Sequence, residues 1–161
     1  MSEDLTTPAA VSLRPIGAVV GGRDEPVDDD WESEQAIIRL DEAQFTEQAL
    51  AGLEEFSHLE VVFLFHLVDP ATVQTAARRP RGNPDWPLVG IFAQRGKNRP
   101  NRLAVSRCRL VRVDGLSLYV EGLDAIAGTP VLDIKPYMAE FGPRGEVVQP
   151  TWATELMQGY Y

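Results

Sequence analysis

Apolar and polar residues alternate along several short stretches of this chain with a period of two rather than 3.6. LSLYVEGL (116–123) is the clearest case, and LAVSRCRLVRV (103–113) sets apolar or small residues against arginines in the same way. Both read as strands with one face toward a core and one toward solvent. Asp114-Gly115 between them is a strong hairpin signal, because glycine takes the positive φ that tight turns need. RPIGAVV (14–20), QAIIRLD (35–41), LVGIFAQ (88–94) and TPVLDIKPY (129–137) read as further strands. HLEVVFLFHLV (58–68) differs: its β-branched and aromatic residues run on with little interruption, which predicts a central strand buried on both faces.

Helical signals are sparse. Asp41 with Gln44 three residues on forms a variant capping box, and Phe45, Ala49, Leu50 and Leu53 follow at helical spacing. This predicts a helix over about 42–51 that ends at Gly52. TWATELM (151–157) predicts a second, short helix within a tail that starts at about 138. GGRDEPVDDDWESE (21–34) is a long acidic loop, and DPATVQTAARRPRGNPDWP (69–87) ends as loop because its prolines cannot donate to a ladder. Residues 1–12 read as a disordered tail. The pattern as a whole predicts a mainly β (α+β) fold over 13–161, a partly closed antiparallel β-barrel with one or two short helices. No G-x-G-x-x-G follows a strand, which disfavours a doubly wound nucleotide fold.

Composition narrows the function classes. The chain has 161 residues and 44% hydrophobic content, suited to one domain with a sizeable core. Its longest apolar run, Val61–Phe65, is too short to span a bilayer, and its acidic N-terminus has no cationic n-region before an apolar stretch. One cysteine, Cys108, and two histidines, His58 and His66, disfavour disulfides and metal sites. A cytoplasmic protein without metal is the expectation.

Charge changes the picture. Residues 78–112 hold ten cations and one acid, Asp85, for a net +9, whereas the remainder is net −18, giving −9 overall. Such asymmetry speaks of partners rather than of fold. Either the basic third meets a polyanion, or the two halves pair with each other within the structure or across a dimer.

No standard catalytic signature is present. Asp124 and Asp133 are a weak case for a carboxylate pair. His66 at the end of an apolar strand reads first as a core residue, as does His58, and Cys108 as a small core hydrophobe. Lys135 within DIKPY must reach outward or find an anion, with a salt bridge to Asp133 or to the acidic loop as the plain alternative. The loop at 95–102 offers Arg95, Arg99 and Asn101 from a turn held by glycine and proline, suited to phosphate or carboxylate; an edge loop that blocks aggregation is the other reading.

Four segments then fall into a known order. GIFAQRGKNRPNRLAVS resembles the G-V-F-A-T-R-S-P-x-R-P-N-P-I-G-L-S motif of the TsaA-like (TrmO/YaeB) family of S-adenosylmethionine-dependent methyltransferases. GLDAIAGTPVLDIKPY resembles its G-x-D-x-x-D-G-T-P-V-x-D-I-K-P-Y, LAGLEEFSHLEVVFLFH its L-x-G-L-x-x-F-S-H-L-W-x-x-F-x-F-H, and RPIGAVV its opening strand. The matches span residues 14–137.

The resemblance implies a homodimeric β-barrel methyltransferase with S-adenosylmethionine near the subunit interface. It also implies methylation of N6 of threonylcarbamoyladenosine beside the anticodon of a tRNA. By position, the cofactor residues would be Arg95 and Asn101, Val105 against the adenine, His66 and Leu67, and the loop Asp124, Gly128, Thr129 and Pro130. Asp30 and Trp31 fall where family members also touch the cofactor, with Trp31 suited to a sulfonium. Asp133 and Tyr137 would take the N6 proton, and Lys135 would orient the substrate. Departures from the motif are Gly96, Lys97, Arg102, Ala104 and Ala127, which put the substrate rather than the cofactor in question. Ending at 161, the chain is also expected to lack the extra C-terminal domain of longer members. The alternatives are a small-molecule methyltransferase and a non-enzymatic S-adenosylmethionine-binding module.

Overall fold

The computed structural model describes residues 9–161; most of the expected disordered tail, residues 1–8, lies outside them. Among the described residues eight strands are present: β1 (Gly17–Gly21), β2 (Gln35–Leu40), β3 (His58–Leu64), β4 (Ala77–Arg78), β5 (Val89–Gly90), β6 (Leu103–Asp114), β7 (Ser117–Glu121) and β8 (Pro130–Pro136). Six of them close into an antiparallel barrel in the order β1-β2-β7-β6-β3-β8, with β1 pairing β8 to seal it. The barrel is thus fully closed rather than partly closed. A closed sheet has no free edge to aggregate through.

Alternation sets which residues fill the interior. From β3 come Leu59, Val61 and Phe63; from β6, Ala104, Ser106, Cys108 and Leu110; from β7, Leu118 and Val120; from β2, Ala36, Ile38 and Leu40. A six-stranded barrel is narrow enough for side chains to fill it. Register shifts near Val20, Val111 and Leu132 supply the local coiling that closure requires. Gly17 allows β1 to press on β2: a Cβ there would lie 2.2 Å from the Arg39 carbonyl oxygen. The β6–β7 hairpin turns on Gly115 and Leu116, with positive φ at Gly115 alone (58°), the pattern of a type II′ turn.

Three sequence expectations are corrected. The helix over 42–51 does not form. Asp41 does cap a turn, accepting from the Ala43 amide at 2.9 Å, but the chain continues as 3-10 turns at Glu47–Leu50 and Leu53–Glu55. Extended Thr46 interrupts the helix before it gains the turns needed to repay nucleation, while Phe45, Leu50 and Leu53 still pack against the core. The strand over 88–94 shrinks to β5 and a 3-10 turn at Ile91–Ala93, paired with the unforeseen β4. β3 is central in pairing with β6 and β8 but is buried on one face only, with Val62 and Leu64 half-exposed outside. The short C-terminal helix does form, as α1 (Thr151–Leu156).

Antiparallel order has a consequence for function. The β1–β2, β3–β6 and β7–β8 connections all lie at one end of the barrel, here the upper end. The β2–β3 connection and the β6–β7 hairpin lie at the lower end, where β8 also leaves.

Candidate functional site

Every residue expected to hold a cofactor is carried by the upper end. Asp30 and Trp31 lie in the β1–β2 loop; His66, Leu67, Arg95 and Asn101 in the β3–β6 connection; Asp124, Gly128 and Thr129 in the β7–β8 loop. Pro130 opens β8, and Val105 is the third residue of β6.

The basic connection is held by its own backbone. Buried Gln94 donates through Nε2 to the carbonyls of Arg78 and Val89, each at 2.9 Å. Arg99 donates to the Gln94 carbonyl at 2.7 Å and Arg102 to that of Val68 at 2.9 Å. Asn101 and Arg102 both take positive φ, 64° and 51°, conformations that non-glycine residues hold only when the surroundings enforce them. Arg95 is exposed and donates to the Val105 carbonyl at 2.8 Å. Val105 (47% exposed) and Leu67 (65% exposed) present bare apolar surface beside it.

The β3 end meets the β7–β8 loop at Gly128. The His66 Nε2 lies 3.6 Å from where a Cβ at Gly128 would stand, and Gly128 has φ 89°. Thr129 is buried, and its carbonyl accepts from the Val19 amide at 2.9 Å. His58 is not the core residue expected: it is exposed at the start of β3 and pairs with the Ser57 hydroxyl at 2.7 Å.

Asp124 forms the polar centre of the mouth. One of its carboxylate oxygens accepts from the Tyr160 hydroxyl, and the other, Oδ1, is buried without a hydrogen-bond partner among the described residues. The Ser106 hydroxyl likewise lacks a partner of ordinary geometry, although Tyr161 stands against it. Beneath them, burial and then the Asp124 charge push the Cys108 thiol up to about 12, so it stays an inert core group. Trp31 is 4% exposed, donates to the Asp28 carbonyl at 3.0 Å and carries the Arg23 guanidinium 3.9 Å from its ring centroid. The ring face expected to meet a sulfonium thus already holds a cation.

The structure separates Asp133, Lys135 and Tyr137 from this mouth. Asp133 and Lys135 project from the outer face of β8 and form an ion pair at 3.0 Å, the plain alternative that the sequence allowed for Lys135. Tyr137 lies under Arg107, 5.0 Å from guanidinium carbon to ring centroid. Asp133 pairs with Val62, which pairs with Val105, so the trio shares an outer face with Val105 alone among the cofactor candidates. Two strand spacings, about 10 Å, separate Asp133 from Val105. Asp124 and Asp133 do not form a carboxylate pair, one being at the mouth and the other outside.

Sequence reasoning missed the residues that cover the mouth. Tyr160 and Tyr161 pack edge to face, ring centroids 4.9 Å apart, and reach Asp124, Ser106 and Arg95. The GYY ending of a polar tail was the only signal. Burial and then the Asp124 charge hold the Tyr160 hydroxyl well above its ordinary 10.0, with Tyr161 and Asp28 also facing it. A raised folded pKa means that this contact stabilises fully below pH 10 and is lost as pH rises beyond it. In an ultraviolet phenolate titration, Tyr160→Phe is therefore expected to remove the most alkaline step; removal of a step near pH 10 would contradict the buried contact.

Charge pairing is partial. Arg81 reaches Asp29 of the acidic loop at 3.0 Å, and Arg107, Arg109 and Arg112 pair with Glu60, Glu121 and Asp114. Among the described residues the other six cations of 78–112 (Arg78, Arg79, Arg95, Lys97, Arg99 and Arg102) have no acidic partner, and all lie in the β3–β6 connection. Among the described residues, no group of three or more His, Cys, Asp or Glu is placed to hold a metal, and no helix is long and apolar enough to cross a membrane.

Comparison with known proteins agrees with this geometry. The model of the tRNA-methyltransferase O N-terminal domain matches residues 23–142. The tRNA (adenine(37)-N6)-methyltransferase of Homo sapiens is 37% identical over 118 residues, covering 72% of this chain and 26% of that protein. A probable S-adenosyl-L-methionine-binding protein of Methanothermobacter thermautotrophicus is 33% identical over 141 residues, 84% of this chain and 96% of its own length. The crystal structure of TrmO from Pseudomonas aeruginosa superposes with a TM-score of 0.68 at 28% identity, covering 86% of this chain and 61% of that one. The chain spans about a quarter of the length of its mammalian relatives. By sequence match and by barrel, this chain belongs to the TrmO family, as its tRNA-methyltransferase O N-terminal domain.

Proposed function

We propose that this chain binds S-adenosylmethionine at the upper mouth of its barrel and methylates N6 of a tRNA adenine, the activity for which its mammalian relatives are named. The observation that carries the reading is Asp124: a buried carboxylate oxygen without a donor, at the meeting point of three loops. Such a group calls for a hydrogen-bond donor from a ligand, because leaving it unmade costs more than making it gains.

The residues present fit the cofactor. Asp124 suits the ribose hydroxyls or the ammonium group. Arg95, exposed and without an acidic partner, suits the carboxylate. Val105 and Leu67 offer apolar surface to the adenine ring, with the Val105 carbonyl beside it. His66 and Gly128 border the same space. When bound, S-adenosylmethionine supplies an electrophilic methyl group on a sulfonium.

Most of the rate in such an in-line transfer comes from positioning. The N6 lone pair is delocalised into the ring, so a group that accepts the N6 proton adds to the rate. Asp133 is the proposed acceptor, with Lys135 paired to it at 3.0 Å and Tyr137 flanking. Bare Val105, Leu67 and Phe92, the last 78% exposed, are apolar surface that a second copy of the chain would cover. A homodimer of this kind would bring one subunit's outer face to its partner's mouth. The other five cations without acids, Arg78, Arg79, Lys97, Arg99 and Arg102, would hold tRNA phosphates.

A second reading rests on the ion pair. Asp133 and Lys135 neutralise each other and lie away from the mouth, which favours a binding module without turnover. Incubation with methyl-labelled S-adenosylmethionine and total tRNA separates the two. Transfer of label to tRNA supports the enzyme. Retention of the cofactor without transfer to tRNA or to small molecules of a cell extract supports the module, and transfer to a small molecule alone moves the substrate off tRNA.

A further inference from the structure

The part of the chain that covers the mouth lies beyond residue 142, where the match to the domain model ends. β8 leaves the barrel at the lower end, yet residues 159–161 return to the upper one. Gly159 turns the chain inward with φ 73°. Its carbonyl accepts from the Asp30 amide at 2.9 Å, and that of Tyr160 from the Trp31 amide at 2.8 Å. The Tyr160 hydroxyl donates to Asp124, and Tyr161 lies against Ser106 with the Arg95 charge facing it. Further back, Glu155 on α1 accepts from the Trp86 indole at 2.8 Å. The tail therefore touches all three upper loops.

Two features make this contact reversible. Residues 143–150 are exposed and have no regular structure, and α1 buries no residue. Few contacts fasten the segment, so it can open locally while the barrel stays closed. What it does cover is polar and specific: the carboxylate of Asp124, the hydroxyl of Ser106 and the neighbourhood of Arg95. Two aromatic rings stand where a purine and its sugar would be received.

We propose that Tyr160 and Tyr161 are an intramolecular stopper: the docked tail and a bound adenosyl ligand exclude each other at Asp124. The proposal rests on reading the mouth as the S-adenosylmethionine site. The tail then sets the fraction of molecules open to ligand, and the apparent dissociation constant is the intrinsic one divided by that fraction.

The test titrates S-adenosylmethionine into three forms: the full chain, a chain lacking residues 159–161, and Tyr160→Phe, which removes the Asp124 contact with no loss of chain. Amide hydrogen exchange at Asp30 and Trp31 is followed in the full chain with and without ligand. The shortened chain is expected to bind on the order of ten-fold tighter, the size of one or two net hydrogen bonds, with Tyr160→Phe in between. In the full chain, ligand is expected to speed exchange at both amides as the tail leaves. Equal or weaker binding by the shortened chain and by Tyr160→Phe, or amides better protected with ligand, would overturn the stopper while leaving the cofactor site in place. If none of the three forms binds, the cofactor reading fails and the stopper with it.

Discussion

Phe63→Ala is expected to lower the unfolding free energy by about 3–5 kcal/mol, the range for deleting a fully buried phenylalanine. Phe63 is 2% exposed and points from β3 into the barrel, and its β3 neighbours across the sheet are Ala104 on β6 and Val131 on β8. Ala104 is too small to fill the space left behind. The ring also packs edge to face on Phe65, centroids 5.7 Å apart, a contact worth about 1 kcal/mol that the substitution removes. Because the sheet is closed, no edge strand can slide to collapse the cavity. Val62→Ala, next along β3 but on the outer face, is expected to cost well under half as much. Urea unfolding checks both: the midpoint falls sharply for Phe63→Ala, and equal losses for the two would contradict the assignment of faces.

The second large effect is on the ionic-strength dependence of tRNA binding. If the five unpaired cations of the β3–β6 connection other than Arg95 meet phosphates, affinity is expected to fall by roughly 500-fold between about 50 and 200 mM salt. Lys97, exposed and without a hydrogen-bonded partner among the described residues, is the cleanest probe. Lys97→Ala is expected to weaken binding evenly across tRNA species and to flatten the log–log salt slope by about one. Filter binding across that salt range provides the measurement. A flat salt response would remove tRNA as the polyanion, and an unchanged slope in Lys97→Ala would remove Lys97 from the surface.

Much of the barrel can be read from the chain because alternation survives where one face is buried. β6 keeps it past Arg107 and Arg109 to Leu110, where a register shift breaks it, and β8 loses it at the shift near Leu132. The missed features have physical causes. A capping signal at Asp41 predicts a helix, but Thr46 is extended, and the apolar residues that follow serve the barrel floor instead. β3 looks doubly buried because its outer face is apolar, which a single chain leaves bare. Spacing places Asp133, Lys135 and Tyr137 on one face of a strand, yet it does not say which face, and that face is outside. Motifs far apart in sequence meet at the mouth because an antiparallel barrel sends alternate loops to the same end. Tyr160 and Tyr161 were beyond reach of pattern reading: their partners are more than 30 residues away, at Asp124 and Ser106.

Calorimetric titration tests directly whether the upper mouth holds S-adenosylmethionine. The full chain and the chain lacking residues 159–161 are each expected to show saturable binding, weakened by about 1–3 kcal/mol in Arg95→Ala, the scale of a hydrogen bond to a charged group. No saturable heat in either chain, or full affinity in Arg95→Ala, would contradict the site as built from these residues.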